Sequence, residues 1–218
     1  MFYFSGTDFE FAGASPETLV KLCDGKLYTY PLGGTRPRGK TVEEDTAIEA
    51  ELLADEKELL EHEMLVDLGK LDLAKVCHKD SVKIDKYRNI LWVSHVMHIG
   101  SVVSGDIRED ATALDAIGAI LPAGTLSGAP KVRSMEIIDE LENCQRGLYG
   151  GAIGYLDFNG NMDTCIAIRL AYTKDGKVFV RSGAGVIAQS VPVNEYNECV
   201  NKAAAVKTAL EQSQNGID

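Results

Sequence analysis

Apolar and polar positions change rhythm several times along this chain, and each rhythm predicts an element. Alternation over Met1 to Phe4 and Phe9 to Gly13 predicts a pair of strands. Ser15-Pro16-Glu17 then predicts a helix start, with Ser15 as N-cap, Pro16 as first helical residue and Glu17 in the first turn. A strand over Lys26 to Pro31 enters Leu32-Gly-Gly-Thr-Arg-Pro-Arg-Gly39, which reads as a turn. Thr41 and Glu44 have capping-box spacing for a helix to about Leu53, and a second helical period runs from about Asp55 to Lys70. From Ser81 to about Ser104 the pattern is strand-like, and Leu91 to Ile99 is apolar on both faces, which predicts a central place in a sheet. Helices are expected around Ala111 to Ala119 and from Pro130 to about Asn143. The last third reads as an antiparallel meander. Tyr149 to Phe158 and Met162 to Tyr172 are joined across Asn159-Gly160, and Asp175-Gly176 leads to Lys177 to Gly183 before a helix opening at Pro192. Together these predict an α+β fold of mostly antiparallel sheets with flanking helices. No repeat, linker or low-complexity tract divides residues 1–218, which are taken as one domain.

Charge restricts the partners more than composition does. A chain that is 45% hydrophobic and 25% charged is ordinary for a folded soluble protein, so disorder is not in question. The formal charge of −11 argues against gripping nucleic acid or an anionic membrane through a general basic field, so an anionic ligand requires a local cationic pocket. No apolar run is long enough to span a bilayer. Cys23, Cys77, Cys144, Cys165 and Cys199 are scattered, odd in number and without metal-ligand spacing, which reads as reduced thiols in a cytoplasmic protein.

Several stretches carry candidate chemistry. Leu121-Pro-Ala-Gly-Thr-Leu-Ser-Gly-Ala-Pro-Lys131 combines two glycines, two hydroxyls and a lysine at a helix start. It is not a phosphate loop, because Ala129-Pro130 separates Gly128 from Lys131; a small-anion cradle and an ordinary strand-to-helix connection both fit. Gly33, Gly34 and Thr35 offer a second anion-friendly turn, with Arg36 and Arg38 as either ligands or solvated residues. Glu58 and Glu61 share a helix face that continues into Leu65 and Leu68, so Glu61 is expected to be poorly solvated and to need a metal, a cation or a proton, unless it marks an amphipathic boundary. Glu195 and Glu198 repeat that spacing, although Glu198 also suits a surface ion pair with Lys202. His98 shares its alternation face with Gly100, which leaves room beside the imidazole; a buried histidine bonded to backbone is the alternative, and no zinc spacing links it to His62 or His78. Arg169 rises among Cys165, Ala167 and Ala171, suited to a carboxylate clamp or a structural ion pair, and Gly183-Ala184-Gly185 permits close backbone approach.

Taken in order, these stretches resemble the catalytic region of the chorismate-utilising enzymes, in the branch of anthranilate synthase component I. The resemblance rests on Ser15-Pro-Glu17, Gly34-Thr-Arg-Pro-Arg-Gly39, Glu61-His-Glu-Met-Leu-Val-Asp-Leu68, Val96-Met-His-Ile99, Gly124 to Lys131, Tyr149-Gly-Gly-Ala-Ile-Gly154, Asp163-Thr-Cys-Ile-Ala-Ile-Arg169, Gly183-Ala-Gly185 and Glu195-Tyr-Asn-Glu198. It spans almost the whole chain and implies the C-terminal part of that fold, so residues 1–218 are expected to form a partial chorismate-binding catalytic domain.

The resemblance also implies roles. Glu61 and Glu198 hold Mg2+, supported by Glu58 and Glu195, and the ion takes the ring carboxylate of chorismate. Tyr149, Arg169 and the backbone of Gly183, Ala184 and Gly185 bind the enolpyruvyl carboxylate, while Gly34 and Thr35 contact the ring end. Glu17 protonates the leaving C4 hydroxyl as ammonia adds at C2, and His98 with Thr125 assists the elimination of pyruvate that gives anthranilate for tryptophan biosynthesis. Ammonia is expected from a glutamine amidotransferase subunit, since no nucleophilic cysteine motif of that kind is present.

Aminodeoxychorismate synthase is the related alternative; it typically carries a lysine where this chain has Gly33, and usually a Ser-Ile-Thr type sequence where this chain has Thr125-Leu-Ser127. Gly33 also replaces the alanine usual in the anthranilate branch, which is expected to loosen the turn, and Leu71 replaces an asparagine expected to brace the site. Family chains continue upstream of Met1, so an N-terminally truncated chain is expected, with an open sheet edge that aggregates, self-associates or recruits the missing segment. A split or truncated fragment that binds ligand or partner without catalysis is the second hypothesis.

Overall fold

A computed structural model of the chain describes residues 1–214. In chain order its elements are β1 (Phe2–Ser5), β2 (Phe9–Gly13), β3 (Thr18–Cys23), β4 (Lys26–Thr29), β5 (Leu32–Pro37), α1 (Val42–Ala54), α2 (Glu56–Leu73), β6 (Lys83–Trp92) and β7 (Val96–Asp106). Then come α3 (Ala113–Ile120), the short α4 (Gly124–Ser127), α5 (Lys131–Leu141), β8 (Ala152–Leu156), β9 (Met162–Ile166), β10 (Leu170–Lys174), β11 (Lys177–Val180) and α6 (Pro192–Gln214). All named strand pairings are antiparallel. They build a four-stranded sheet ordered β1-β2-β10-β11 and a seven-stranded sheet in which β7 is flanked by β6 on one side and by β4 and β5 on the other, continuing through β3 and β9 to β8. The expected α+β class with antiparallel sheets and flanking helices is therefore observed.

Turn chemistry sets the hairpins. Asp175 and Gly176, at φ 52° and 70°, take the left-handed conformations that a two-residue hairpin demands, and Asp24-Gly25 does the same between β3 and β4. The principal core lies between the seven-stranded sheet and helices α2 and α3, where Leu19, Val20, Leu27, Val66, Leu73, Val103, Met162 and Ile166 are buried. A smaller cluster of Leu52, Met97 and Ile99 seats α1 against the strands carrying Gly34 and His98.

The structure corrects four readings of the sequence. Ser15-Pro16-Glu17 begins no helix: Ser15 Oγ accepts from Glu17 N at 3.3 Å, and Glu17 O accepts from Ile166 N at 2.9 Å, delivering the chain into β3. The apolar run Leu19-Val20 and pairing with β9 outweigh the local capping signal. Leu32 to Pro37 stays extended as β5, paired to β7, so only its end turns. Leu91 to Ile99 holds a hairpin, not one central strand; β7 is central, whereas Leu91 and Trp92 lie exposed on the β6 edge, with the Arg38 guanidinium 4.9 Å from the Trp92 ring. Met162 to Tyr172 is broken at Ala167 to Arg169, where the chain leaves one sheet for the other, so Arg169 does not sit on a continuous strand face.

Candidate active site

The break between β9 and β10 places the guanidinium most relevant to an anion. Arg169 takes φ 54°, uncommon for a residue with a Cβ, and its carbonyl accepts from Ala14 N at 3.2 Å, pinning the corner between the sheets. Among the described residues its side chain forms no salt bridge. The Arg169 and Lys202 charges both bear on the carboxyl of Glu17.

Glu17 is held by Thr125 of α4, whose hydroxyl donates to Oε1 at 3.0 Å. Burial pushes the Glu17 carboxyl above the usual range, and the Thr125 hydrogen bond and the two cations only partly counter it. Behind the pair is a cavity of about 40 Å³ reaching Leu65, Leu68, Gly69 and Asp72. Gly124 packs against α2: a Cβ there would come 2.9 Å from Leu68 Cδ1. Lys131 does not reach outward either. Its ammonium donates to buried Asp72 at 2.7 Å and to Ile120 O at 2.8 Å, so it ties α5 to α2 and the end of α3.

On the β5–β7 pair Thr35 and His98 are register partners. His98 Nδ1 lies 3.0 Å from Thr35 Oγ1 and 3.2 Å from Gly34 O. The Gly34 carbonyl only accepts while the Thr35 hydroxyl can donate or accept, so both contacts are served when Nδ1 carries the ring proton. Gly34 sits at φ 56°, and a Cβ would meet Leu52 Cδ1 at 2.9 Å. Arg36 and Arg38 are not free for a ligand: Arg36 binds Asp55 at 2.7 Å and Glu58 at 3.6 Å, and Arg38 binds Asp45 at 2.6 Å.

Tyr149 faces the glycine loop, since a Cβ on Gly183 would come 2.8 Å from its hydroxyl. Burial raises its phenol, against the lowering pull of Arg146, Arg169 and Arg181. The loop is tied to α6, as Lys202 Nζ donates to Gly183 O at 3.3 Å and Ser182 Oγ to Cys199 O at 2.8 Å. Across from it, a Cβ on Gly185 would stand 3.3 Å from Glu61 Oε1. Glu61 is half-buried as its spacing suggested, and burial and then Glu58 raise its carboxyl, with Glu198 and Glu195 adding to the effect.

Against known proteins, the model of the chorismate binding enzyme family matches residues 1–208. The chain belongs to the chorismate binding enzymes. It is 55% identical over 213 residues to anthranilate synthase component 1 of Acetivibrio thermocellus, covering 98% of this chain and 43% of that protein. The counterpart of Mycolicibacterium smegmatis is 56% identical over 205 residues, 94% of this chain and 39% of that protein. Anthranilate synthase component I from Streptococcus pneumoniae TIGR4 superposes with a TM-score of 0.87 at 44% identity, over 94% of this chain and 45% of that one. The chain thus spans less than half the length of these relatives. The menaquinone-specific isochorismate synthase from Escherichia coli shares the fold at 25% identity and a TM-score of 0.81, covering 93% of this chain and 46% of that one.

The fold of these chorismate binding enzymes gathers the sequence-picked residues into two groups. Glu17, Thr125, Tyr149, Arg169 and Gly183 are linked by contacts and fields, as are Glu58, Glu61, Glu195 and Glu198, with Gly185 joining the groups. The carboxylate group suits a hard divalent cation in donor type and in field, because oxygen donors crowd one another around Glu61. Glu58 leans on Arg36 and Glu198 on Lys202, and among the described residues no three such side chains are drawn together into a ready cage. Lys202 is the residue sequence reading undervalued: helical spacing paired it with Glu198, but nothing local signalled its reach to Gly183 and its field at Glu17. His62 was likewise passed over, yet it is fully buried, bonded through Nε2 to Ser101 Oγ at 2.7 Å, and packed where a Cβ on Gly33 would come 3.2 Å from it. Gly33 thus lies in β5 with His62 against it. Leu71 is 63% exposed, and the bracing falls to its neighbour Asp72.

Proposed function

We propose that this chain carries the chorismate site of an anthranilate synthase component I, a lyase converting chorismate and ammonia to anthranilate, pyruvate and water. The observation that carries this reading is the pairing of a carboxyl raised by burial, Glu17, with the Arg169 guanidinium, whose charge bears on it and which forms no salt bridge among the described residues. Chorismate bears two carboxylates and a hydroxyl to be expelled, so it requires separate anion holders and an acid. Arg169, the Tyr149 hydroxyl and the Gly183 to Gly185 backbone are assigned to the enolpyruvyl carboxylate. Glu61 and Glu198, with Glu58 and Glu195 around them, are assigned to Mg2+, which when bound supplies positive charge to the ring carboxylate.

In the first stage Glu17 gives its proton to the C4 hydroxyl as that C–O bond breaks and a C–N bond forms at C2, releasing water. Thr125 keeps the carboxyl aimed and stabilises the charge left on it by donating its hydrogen bond. In the second stage the C2 proton is removed, the enolpyruvyl C–O bond breaks and the departing enolpyruvate takes up a proton at its methylene carbon, giving pyruvate and an aromatic ring; His98 of β7 stands beside the ring contacts Gly34 and Thr35 of the paired β5. Ammonia is assigned to a glutamine amidotransferase partner. The relatives named anthranilate synthase component 1, and the absence of lysine at Gly33, favour this reading over aminodeoxychorismate synthase.

Purified chain incubated with chorismate, ammonium and Mg2+ should produce anthranilate fluorescence, alone or after addition of a polypeptide matching the other part of the longer relatives. Chorismate left unconsumed under both conditions would reduce the chain to a binding fragment, and an aminodeoxychorismate product would assign it to the sibling activity.

A further inference from the structure

Glu142 lies just past the last turn of α5, in extended conformation at φ −85° and ψ 122°, so it is not a helix-surface residue. Arg146 wraps it, with Nε 3.1 Å from each carboxylate oxygen and Nη2 2.6 Å from Oε1, while Arg146 Nη1 donates to the carbonyl of Leu126, the residue after Thr125. Arg181 comes from the far side of the β8 to β11 segment, donates through Nη2 to the same carboxylate and through Nη1 to Gln145 O at 2.9 Å, and leads directly into Ser182 and Gly183. The two guanidinium carbons each stand 5.8 Å from the centroid of the Tyr149 ring. All three charged side chains are about 70% buried or more, with exposures of 27%, 30% and 27%.

We propose that Glu142 is a positioning residue that locks the Thr125 turn, Tyr149 and the Gly183 to Gly185 loop into one arrangement through Arg146 and Arg181; the idea rests on the chorismate reading of that site. An isolated pair between Glu142 and Arg146 would be a minor surface contact. What distinguishes this one is that a second arginine, from a segment remote in sequence, shares the carboxylate, and that both arginines border the ring whose hydroxyl abuts Gly183. Two guanidinium groups each 5.8 Å from the centroid of one aromatic ring would repel; the shared carboxylate lets them remain there. Glu142 touches no substrate in this scheme. It sets where three substrate-contacting segments stand.

The electrostatic and positional roles predict opposite signs. Removing a negative charge behind the site leaves more positive charge near a dianionic substrate, so a purely electrostatic Glu142→Gln would tighten binding. A positional role weakens it, by about tenfold in Kd for chorismate with Mg2+. In a Tyr149→Phe background the same change should add no more than about twofold, because coupled residues are not additive. Hydrogen–deuterium exchange on the full chain without ligand gives a second readout: Glu142→Gln, and separately Arg181→Gln, should raise exchange jointly at residues 124–127 and 182–185. Unchanged or tighter chorismate binding overturns the proposal, as does faster exchange confined to the end of α5. If the wild-type chain binds no chorismate, the reading of the site fails, and the exchange experiment still decides the role of Glu142.

Discussion

At Glu17 burial and hydrogen bonding pull in opposite directions, and burial wins. A raised folded-state value means the acid form survives to higher pH than for a free carboxyl, and an acid role for Glu17 would be lost as pH rises through that value. Thr125→Val removes the donor that lowers it, so the alkaline limb of kcat/KM for anthranilate formation should move to higher pH; movement to lower pH would refute the pairing. Arg169→Ala removes the guanidinium proposed as the carboxylate clamp and should weaken chorismate binding about 10- to 100-fold, the worth of a charge-assisted bond to a carboxylate. Unchanged affinity in a titration would sink the clamp. At this scale the sequence was informative where chemistry follows helical spacing, as at Glu61, whose burial was readable from Leu65 and Leu68. It was uninformative where a side chain acts across the fold: Lys202 and Arg181 reach the site only because α6 and the β11 exit fold back beside Tyr149 and Glu17.

The elements were legible where a pattern has one solution and illegible where two local signals compete. The α1 and α2 helices and the Asn159-Gly160 and Asp175-Gly176 hairpins fall within a few residues of expectation, since periodicity and turn chemistry agree there. Ser15-Pro16 misled because a good N-cap is also a good strand lead-in, and the choice was made by β9, far away in sequence. The sheet switch at Arg169 was hidden because a break without proline or glycine leaves no mark in alternation. Packing between elements gives sharp predictions. Gly154 faces Asp163 so closely that a Cβ would stand 2.0 Å from its carbonyl oxygen, hence Gly154→Ala should force β8 off β9 and lower the melting temperature by several degrees at least. Lys131→Met should cost about 3 kcal/mol in denaturant unfolding, because it leaves buried Asp72 with only the more exposed Lys75 as partner. A loss below a few tenths of a kcal/mol would show that Lys131 does not tie α5 to α2.

For the molecule as a whole, surface area and pH response carry information that composition conceals. His62 is held neutral, its value pushed down to about 4 from 6.5 by burial and by the nearby Arg88 charge. Its contribution to stability is present above about 6.5 and lost as pH falls toward about 4. Glu17 and Glu61 work in the other direction: their raised values favour the fold below the free carboxylate range and lose that contribution as pH rises through the folded values. A 45% hydrophobic sequence looks ordinary, yet the folded chain exposes 13410 Å², against roughly 9,800 Å² expected for a compact monomer of its 23.6 kDa mass. Part of the excess is apolar and clustered: Phe4 and Phe9 on the small sheet, Leu91 and Trp92 on β6, and Val193, Tyr196 and Val200 along α6, which has no buried residue. Because α6 also carries Glu195, Glu198 and Lys202, the site is only as ordered as a helix without a fully buried residue. The chain alone should therefore bind a hydrophobic dye and melt broadly, and a polypeptide matching the remainder of the longer relatives should suppress dye binding, raise the melting temperature and increase Mg2+-dependent chorismate affinity together. If the melting temperature rose while affinity stayed the same, order in α6 would not be what limits the site; if neither changed, the exposed faces would not be docking surfaces for that segment.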